Sequence, residues 1–148
     1  MASLFAAVSD LAAAPAVAVS ASSYEDDGST VNPPENAYDG DLTTRWSAMG
    51  IGEWIQFSFS EAVALDGISI AFHQGDARVV YFSVEVSDDG SSWAEVYNGE
   101  SSGSSIDAES FSFASTSMTM IRIIGNGNNV NTWNSYTEVA FPFAEELN

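Results

Sequence analysis

The stretch "YFSVEVSDDGSSWAEVY", Tyr81–Tyr97, decides how this chain is built. Phe82, Val84 and Val86 alternate with Ser83 and Glu85, so one face of an extended segment is apolar and the other polar. That is the period-two signature of a half-buried strand. Asp88, Asp89 and Gly90 break the alternation, with Asp-Gly supplying the positive φ that a tight turn needs, and "SWAEVY" returns as a second strand. The unit is a β-hairpin.

Working outward, the same pattern recurs in "AVAVSAS" from Ala16, "WIQFSF" from Trp54, "LDGISIAF" from Leu65, "SFSF" from Ser110 and "MTMIRIIG" from Met118. A last strand, "YTEVAFPF" from Tyr136, carries Pro142, which places it at an edge or an end. About eight short antiparallel strands separated by long loops predict an all-β fold, a β-sandwich of the jelly-roll type. The long loops are Ser23–Asn36, Ala37–Gly52, His73–Val79 and Gly125–Asn134, where a rigid sandwich places its binding groups.

With 148 residues and 45% apolar content the chain makes one domain with a full core. Residues 1–15 read as an N-terminal extension or linker and 16–148 as the domain; Leu4–Ala14 also fits a short helix ended by Pro15. The start lacks a basic segment, and Asp10 interrupts its apolar run, so it is a poor signal peptide. Either the domain is a module of a longer secreted chain or the protein is intracellular. No cysteine is present, so any staple is something other than a disulfide.

Against 21 acidic residues stand only Arg45, Arg78 and Arg122, giving a net charge of -18. Such a surface disfavours nucleic acid and anionic membranes as partners. Its self-repulsion weakens as salt shortens the screening length from about 8 Å to a few Å, which suits a saline setting.

Within "AYDGDLTTRW", Ala37–Trp46, Asp39 and Asp41 sit too close along one turn to face each other across a sugar as glycosidase carboxylates do. Asp39, Asp41 and Thr44 offer hard oxygens for a cation such as Ca²⁺, and Gly40 permits the bend; spacing alone leaves a metal loop and a plain Asx turn both open. No G-x-S-x-G, H-E-x-x-H or cysteine nucleophile supports catalysis. His73, Arg78 and Tyr81 are the one trio with lyase-type chemistry, and Tyr81 opens a strand.

"NAYDGDLTTRW", "GEWIQFSF", "DGISIAF", "FSVEVSDDGSSW", "IRIIGNGN" and "NSYTEV" occur in an order and spacing that resemble the coagulation-factor type C, or discoidin-like, superfamily. The closest resemblance is to the family 32 carbohydrate-binding modules of polysaccharide-degrading enzymes. It implies a non-catalytic module on a secreted enzyme, bringing that enzyme to its polysaccharide. It also implies one structural calcium, held by Asp39, Asp41, Thr44 and Glu138 with backbone carbonyls near Ala37 and Val139, and it makes Trp46 and Trp54 core residues. Similarity to modules found beside alginate lyases points to an acidic marine polysaccharide; a neutral galactose-type glycan and a discoidin-like adhesion role are the alternatives.

In the resembling modules sugar binds on loops at one end of the sandwich. A sugar site needs an aromatic plane and groups that bond hydroxyls or a carboxylate. His73, Arg78, Asn131 and Trp133 supply these types, with Tyr24 as a hydroxyl contact. Arg78 is expected either to clamp a uronate or to neutralise Asp76, and His73 is open to a structural or a ligand role. Arg45 is expected to brace the metal loop and Arg122 to pair with a carboxylate. Met49 and Ile51 read as exposed spikes or, for Met49, a local contact.

Overall fold

The computed structural model describes residues 14–143. Its strands are β1 Val17–Ala21, β2 Glu25–Asp26, β3 Val31–Asn32, β4 Trp46–Met49, β5 Trp54–Phe72, β6 Val80–Ser87, β7 Ala94–Glu100, β8 Glu109–Asn128 and β9 Trp133–Ala140. A 3-10 turn, Pro34–Ala37, follows β3. All pairings are antiparallel: β4-β9-β5-β8-β6-β7 in spatial order, β1 beside β5, and β2 with β3 as a separate ribbon. The Leu4–Ala14 helical pattern falls, but for Ala14, outside the described residues.

The expected all-β architecture is present, with one revision. "WIQFSF" and "LDGISIAF" are halves of one strand, β5, and "SFSF" and "MTMIRIIG" are halves of β8. Serine and alanine between the halves look like turns in sequence, yet the two strands stay paired across register shifts at Ser58/Val63 and Leu65/Gly67. Such irregularities let a paired ribbon bend. The first half of β5 pairs with β1 and its second half with β9, so the bent β5-β8 pair joins the two layers at one end of the sandwich. The opposite end carries the 50–53, 73–79 and 129–132 connections. Nearby, Gly50 donates to Thr132 O (2.9 Å), Gly125 to Glu53 O (2.8 Å) and Asn129 to Val79 O (3.0 Å).

Alternation decides which face is buried. Ile55 and Phe57, Ile121 and Ile123, and Phe82 and Val84 are fully buried and lie side by side on one face of the β5-β8-β6 ribbon, which they turn toward the core. Trp46, Phe72 and Tyr136 extend this core, with Phe72 set edge-on to Tyr136 at 5.6 Å. Each such side chain contributes about 1.5–3 kcal/mol of burial. Phe141 and Phe143, after β9, pack on Phe59 at 5.3 and 5.7 Å, and Val17 of β1 is the register partner of Phe59.

The same parity corrects two expectations. Trp54 and Arg122 have the opposite parity to Ile55 and Ile121, so both face outward. Trp54 is half-buried rather than core, and Arg122 lies between Trp54 (3.8 Å) and Trp93 (4.1 Å) while its Nε donates to Gln56 (2.8 Å). Aromatic faces and an amide contact this cation directly, while the expected carboxylate, Glu85 across the strand pair, acts on it through its charge without a bonded ion pair. The predicted hairpin is β6-β7, joined by a six-residue loop instead of a tight turn; Asp89 accepts the Ser91 and Ser92 N–H groups there, and Gly90 takes φ 78°.

Candidate functional site

The 73–79 connection follows β5 directly and is shaped by its backbone. His73 N–H donates to Ser135 O of β9 (3.1 Å), Gly75 N–H to Phe72 O (3.1 Å) and Ala77 N–H to Gln74 O (2.9 Å). A Cβ at Gly75 would lie 2.4 Å from Ser105 O, so only glycine fits. Gln74 has φ 55°, the one non-glycine positive φ among the described residues. Such a conformation costs of order 1–3 kcal/mol and persists where the surroundings over-determine it.

This loop closes one wall of a cavity of about 250 Å³. His73, Gln74 and Arg78 come from the loop, Arg45 and Ser47 from the edge of β4, Trp133 and Ser135 from β9, and Glu25 from β2. The floor is a hydrogen-bonded row: Arg45 Nε donates to Ser47 Oγ (2.9 Å), which lies 2.8 Å from Ser135 Oγ. Asn32, 8% exposed, donates to Glu25 Oε1 (2.8 Å) and fixes that carboxylate on the cavity wall.

Arg78 is only 9% exposed, and its Nε is buried without a hydrogen-bond partner. A buried unsatisfied donor costs about 1–3 kcal/mol, more for a charged group, so this one has capacity for a further acceptor. Burial, then the neighbouring Arg45, hold Arg78 below the ordinary arginine range; no carboxylate counters them. His73 is pushed below the ordinary histidine value by burial, then by Arg45 and Arg78. A chain of net charge -18 thus gathers two of its three arginines and its only histidine around one cavity.

The structure therefore brings together His73, Arg78 and Trp133, and adds Arg45, Glu25, Ser47 and Ser135. Arg45 does not brace the acidic turn as expected. Trp46 faces the core, so its neighbours Arg45 and Ser47 face the other way, a signal readable from strand parity. Asn131 stays outside the cavity lining: its Oδ1 accepts from Asn128 Nδ2 (2.9 Å) and Trp133 N–H (3.0 Å), holding the loop. Tyr24, 46% exposed, adjoins Glu25 without lining the cavity, and Tyr81 pairs with Glu100 in the β6-β7 ribbon. Met49 and Ile51 are each 62% exposed, so Met49 is not tucked into a local contact.

The acidic turn forms a second cluster. Gly40 N–H reaches both Glu138 carboxylate oxygens at 3.2 Å, tying the turn to β9. Thr44 Oγ1 lies 2.5 Å from Asp39 Oδ2, 3.1 Å from Asp41 O and 3.3 Å from Asn36 O, the carbonyl preceding Ala37. Asp41 directs its carboxylate to Thr43, whose N–H and hydroxyl lie at 2.8 and 2.6 Å, so only its carbonyl faces this group. Val139 is buried in β9 beside Glu138. Burial, and then the adjacent Asp39 carboxylate, push Glu138 above the usual carboxylate range against the opposing Gly40 N–H. Two carboxylates, a hydroxyl and two carbonyls gathered between this turn and β9 are donors of the kind a hard cation takes, more than a softer metal. No group of three or more His, Cys, Asp or Glu side chains suited to a metal occurs among the described residues.

An all-β sandwich with a small polar cavity on its end loops is the architecture of a small-ligand-binding module. The chain belongs to the F5/8 type C domain family, whose profile matches residues 18–139, and within it to the family 32 carbohydrate-binding modules. It is thus a carbohydrate-binding module and not a catalytic domain. The CBM32 of AlyQ in complex with 4,5-unsaturated mannuronic acid is 45% identical, with a TM-score of 0.79 over 84% of this chain and 92% of that one. Truncated AlyQ with CBM32 and alginate lyase domains is 44% identical, with a TM-score of 0.81 over 89% of this chain and 33% of that one. A pectin-binding carbohydrate-binding module is 30% identical, with a TM-score of 0.80 over 88% of this chain and 92% of that one. No curated protein sequence matches the chain significantly. Among the described residues no helix is long and apolar enough to cross a membrane.

Proposed function

We propose that the module binds a uronic acid at the end of an acidic polysaccharide, with the Arg78 cavity as its site. The observation that carries this reading is the buried, unpartnered Nε of Arg78. A uronate carboxylate completes that donor and is held by a fork of parallel hydrogen bonds, as guanidinium-carboxylate pairs are. Arg45 and His73 add donors and positive potential, and Trp133 offers an aromatic surface to the sugar's C–H face. Glu25 and Ser135 take the ring hydroxyls. A one-ring cavity admits a chain end while the acidic surface repels the remaining polyanion, so the interaction is weak. Affinities from micromolar to millimolar correspond to about -8 to -4 kcal/mol.

Titration calorimetry against alginate oligosaccharides and galactose, with Arg78→Ala alongside, tests this reading. Heat from the uronate alone, lost in the variant, supports it; heat from galactose alone sinks it. Glu25 is the observation that favours the neutral-sugar alternative, because a carboxylate in the cavity prefers hydroxyls to an anion.

We further propose that the Asp39–Thr44 turn and Glu138 hold a structural calcium, with Asp39 and Glu138 as carboxylates, Thr44 as hydroxyl, and carbonyls of Asp41 and of the Ala37 and Val139 neighbourhoods. When bound, the ion supplies charge neutralisation to the paired carboxylates and ties the turn to β9. The module serves a covalently attached polysaccharide-degrading enzyme in a secreted protein, where even weak binding raises the local concentration of substrate.

A further inference from the structure

At the end of the sandwich where β5 and β8 bend lies a second concavity, of about 280 Å³, between the β6-β7 loop and β8. Trp93 forms one side. Arg122 stacks on Trp93 at 4.1 Å and is itself backed by Trp54 at 3.8 Å, yet Arg122 does not line the groove. One surface of the indole is thus fixed by the cation, and another faces the groove. The Trp93 Nε1–H is tied to Gly90 O (3.2 Å), so the ring is held at both its face and its edge.

Polar residues share a mainly apolar lining. The turn spends Asp89 and Ser87 on its own backbone: Asp89 accepts from Ser91 and Ser92 N–H, and Ser87 Oγ accepts from Asp89 and Gly90 N–H. Asp88, Ser92 and Ser117, all exposed and with side chains not spent in these turn bonds, line the groove with Thr116 beside the apolar Val86 and Ala94. No lysine, arginine or histidine lines it. A held aromatic surface, a carboxylate acceptor and hydroxyls, without a cation, suit a neutral pyranose and repel a uronate.

We propose that this groove is a second carbohydrate site, selective for a neutral hexopyranose, with Trp93 as platform and Asp88 bridging two ring hydroxyls. It goes beyond the uronate reading and stands separately from it, since Arg78 lies at the other end of the sandwich. The module then grips two chemically different glycans at once, an acidic chain end and a neutral one.

The test is an NMR titration of the ¹⁵N-labelled chain with methyl β-galactopyranoside and methyl β-glucopyranoside, following the tryptophan indole resonances. We expect a saturable millimolar shift at Trp93 with at least one glycoside, unchanged in Arg78→Ala and weakened about tenfold or more in Asp88→Asn, which loses one charged acceptor at an exposed turn. A stationary Trp93 resonance overturns the proposal. So does a shift that vanishes in Arg78→Ala, which would belong to the other cavity, or one that Asp88→Asn leaves intact. If uronate oligosaccharides fail to bind while the Trp93 shift persists, the uronate reading falls and the second site stands.

Discussion

Arg78 and Arg122 carry the same side chain in opposite states. Arg122 has its faces covered by tryptophans and its Nε bonded to Gln56, whereas the Arg78 Nε is buried with no partner. Charge alone is therefore a poor substitute at Arg78: Arg78→Lys keeps the cation but loses the planar fork, and calorimetry should record about a tenfold loss of uronate affinity or more. His73 gives a second check. Its pKa in the free module lies below the ordinary histidine value, and a bound carboxylate raises it, so binding takes up a proton. Uronate affinity should therefore strengthen as pH falls from about 8 through the ordinary histidine value of about 6.5, and His73→Gln should flatten that profile. From sequence, residue type on polar loops singled out Arg78, His73 and Trp133, which the fold brings to one cavity. Arg45 reads in sequence as a brace for the acidic turn and Glu25 as part of a solvated acidic loop, and only the fold carries them to the same cavity.

Asn134 shows how strands and connections support each other. Fully buried at the start of β9, it donates to Ala48 O (3.2 Å) and Gly50 O (2.8 Å) and accepts from Gly127 N–H (2.8 Å). Three chain segments at the cavity end thus share one amide. A Cβ at Gly125 would come within 2.2 Å of that side chain. Asn134→Ala should destabilise the domain by at least about 1–3 kcal/mol through its stranded partners, read as a lower midpoint in thermal unfolding. Gly125→Ala should act in the same direction through the clash. Period-two alternation located the strands well, because burial on one face dictates it. It divided β5 and β8 wrongly, because a bend that preserves pairing leaves the same small polar residues in the sequence as a turn does. It also understated β9, which begins at Trp133 and not Tyr136, since asparagines around that tryptophan resemble loop.

The whole molecule carries 21 acidic groups and only three arginines, two of them committed to the cavity. Its thermal midpoint should rise between low salt and about 1 M NaCl, as the screening length shortens from about 30 Å at 0.01 M to about 3 Å. If calcium occupies the Asp39–Glu138 turn, a chelator should lower the midpoint at fixed ionic strength, and Asp39→Ala should abolish that response. A chelator without effect removes the metal assignment. Val17 and Phe143 both meet Phe59, so the described stretch enters and leaves the sandwich side by side, at the end away from Arg78. The domain is thus a loop closed at its base. Such a layout can be spliced between two neighbours as readily as hung from one, and in either arrangement the Arg78 cavity points away from the junction like a lamp on a bracket.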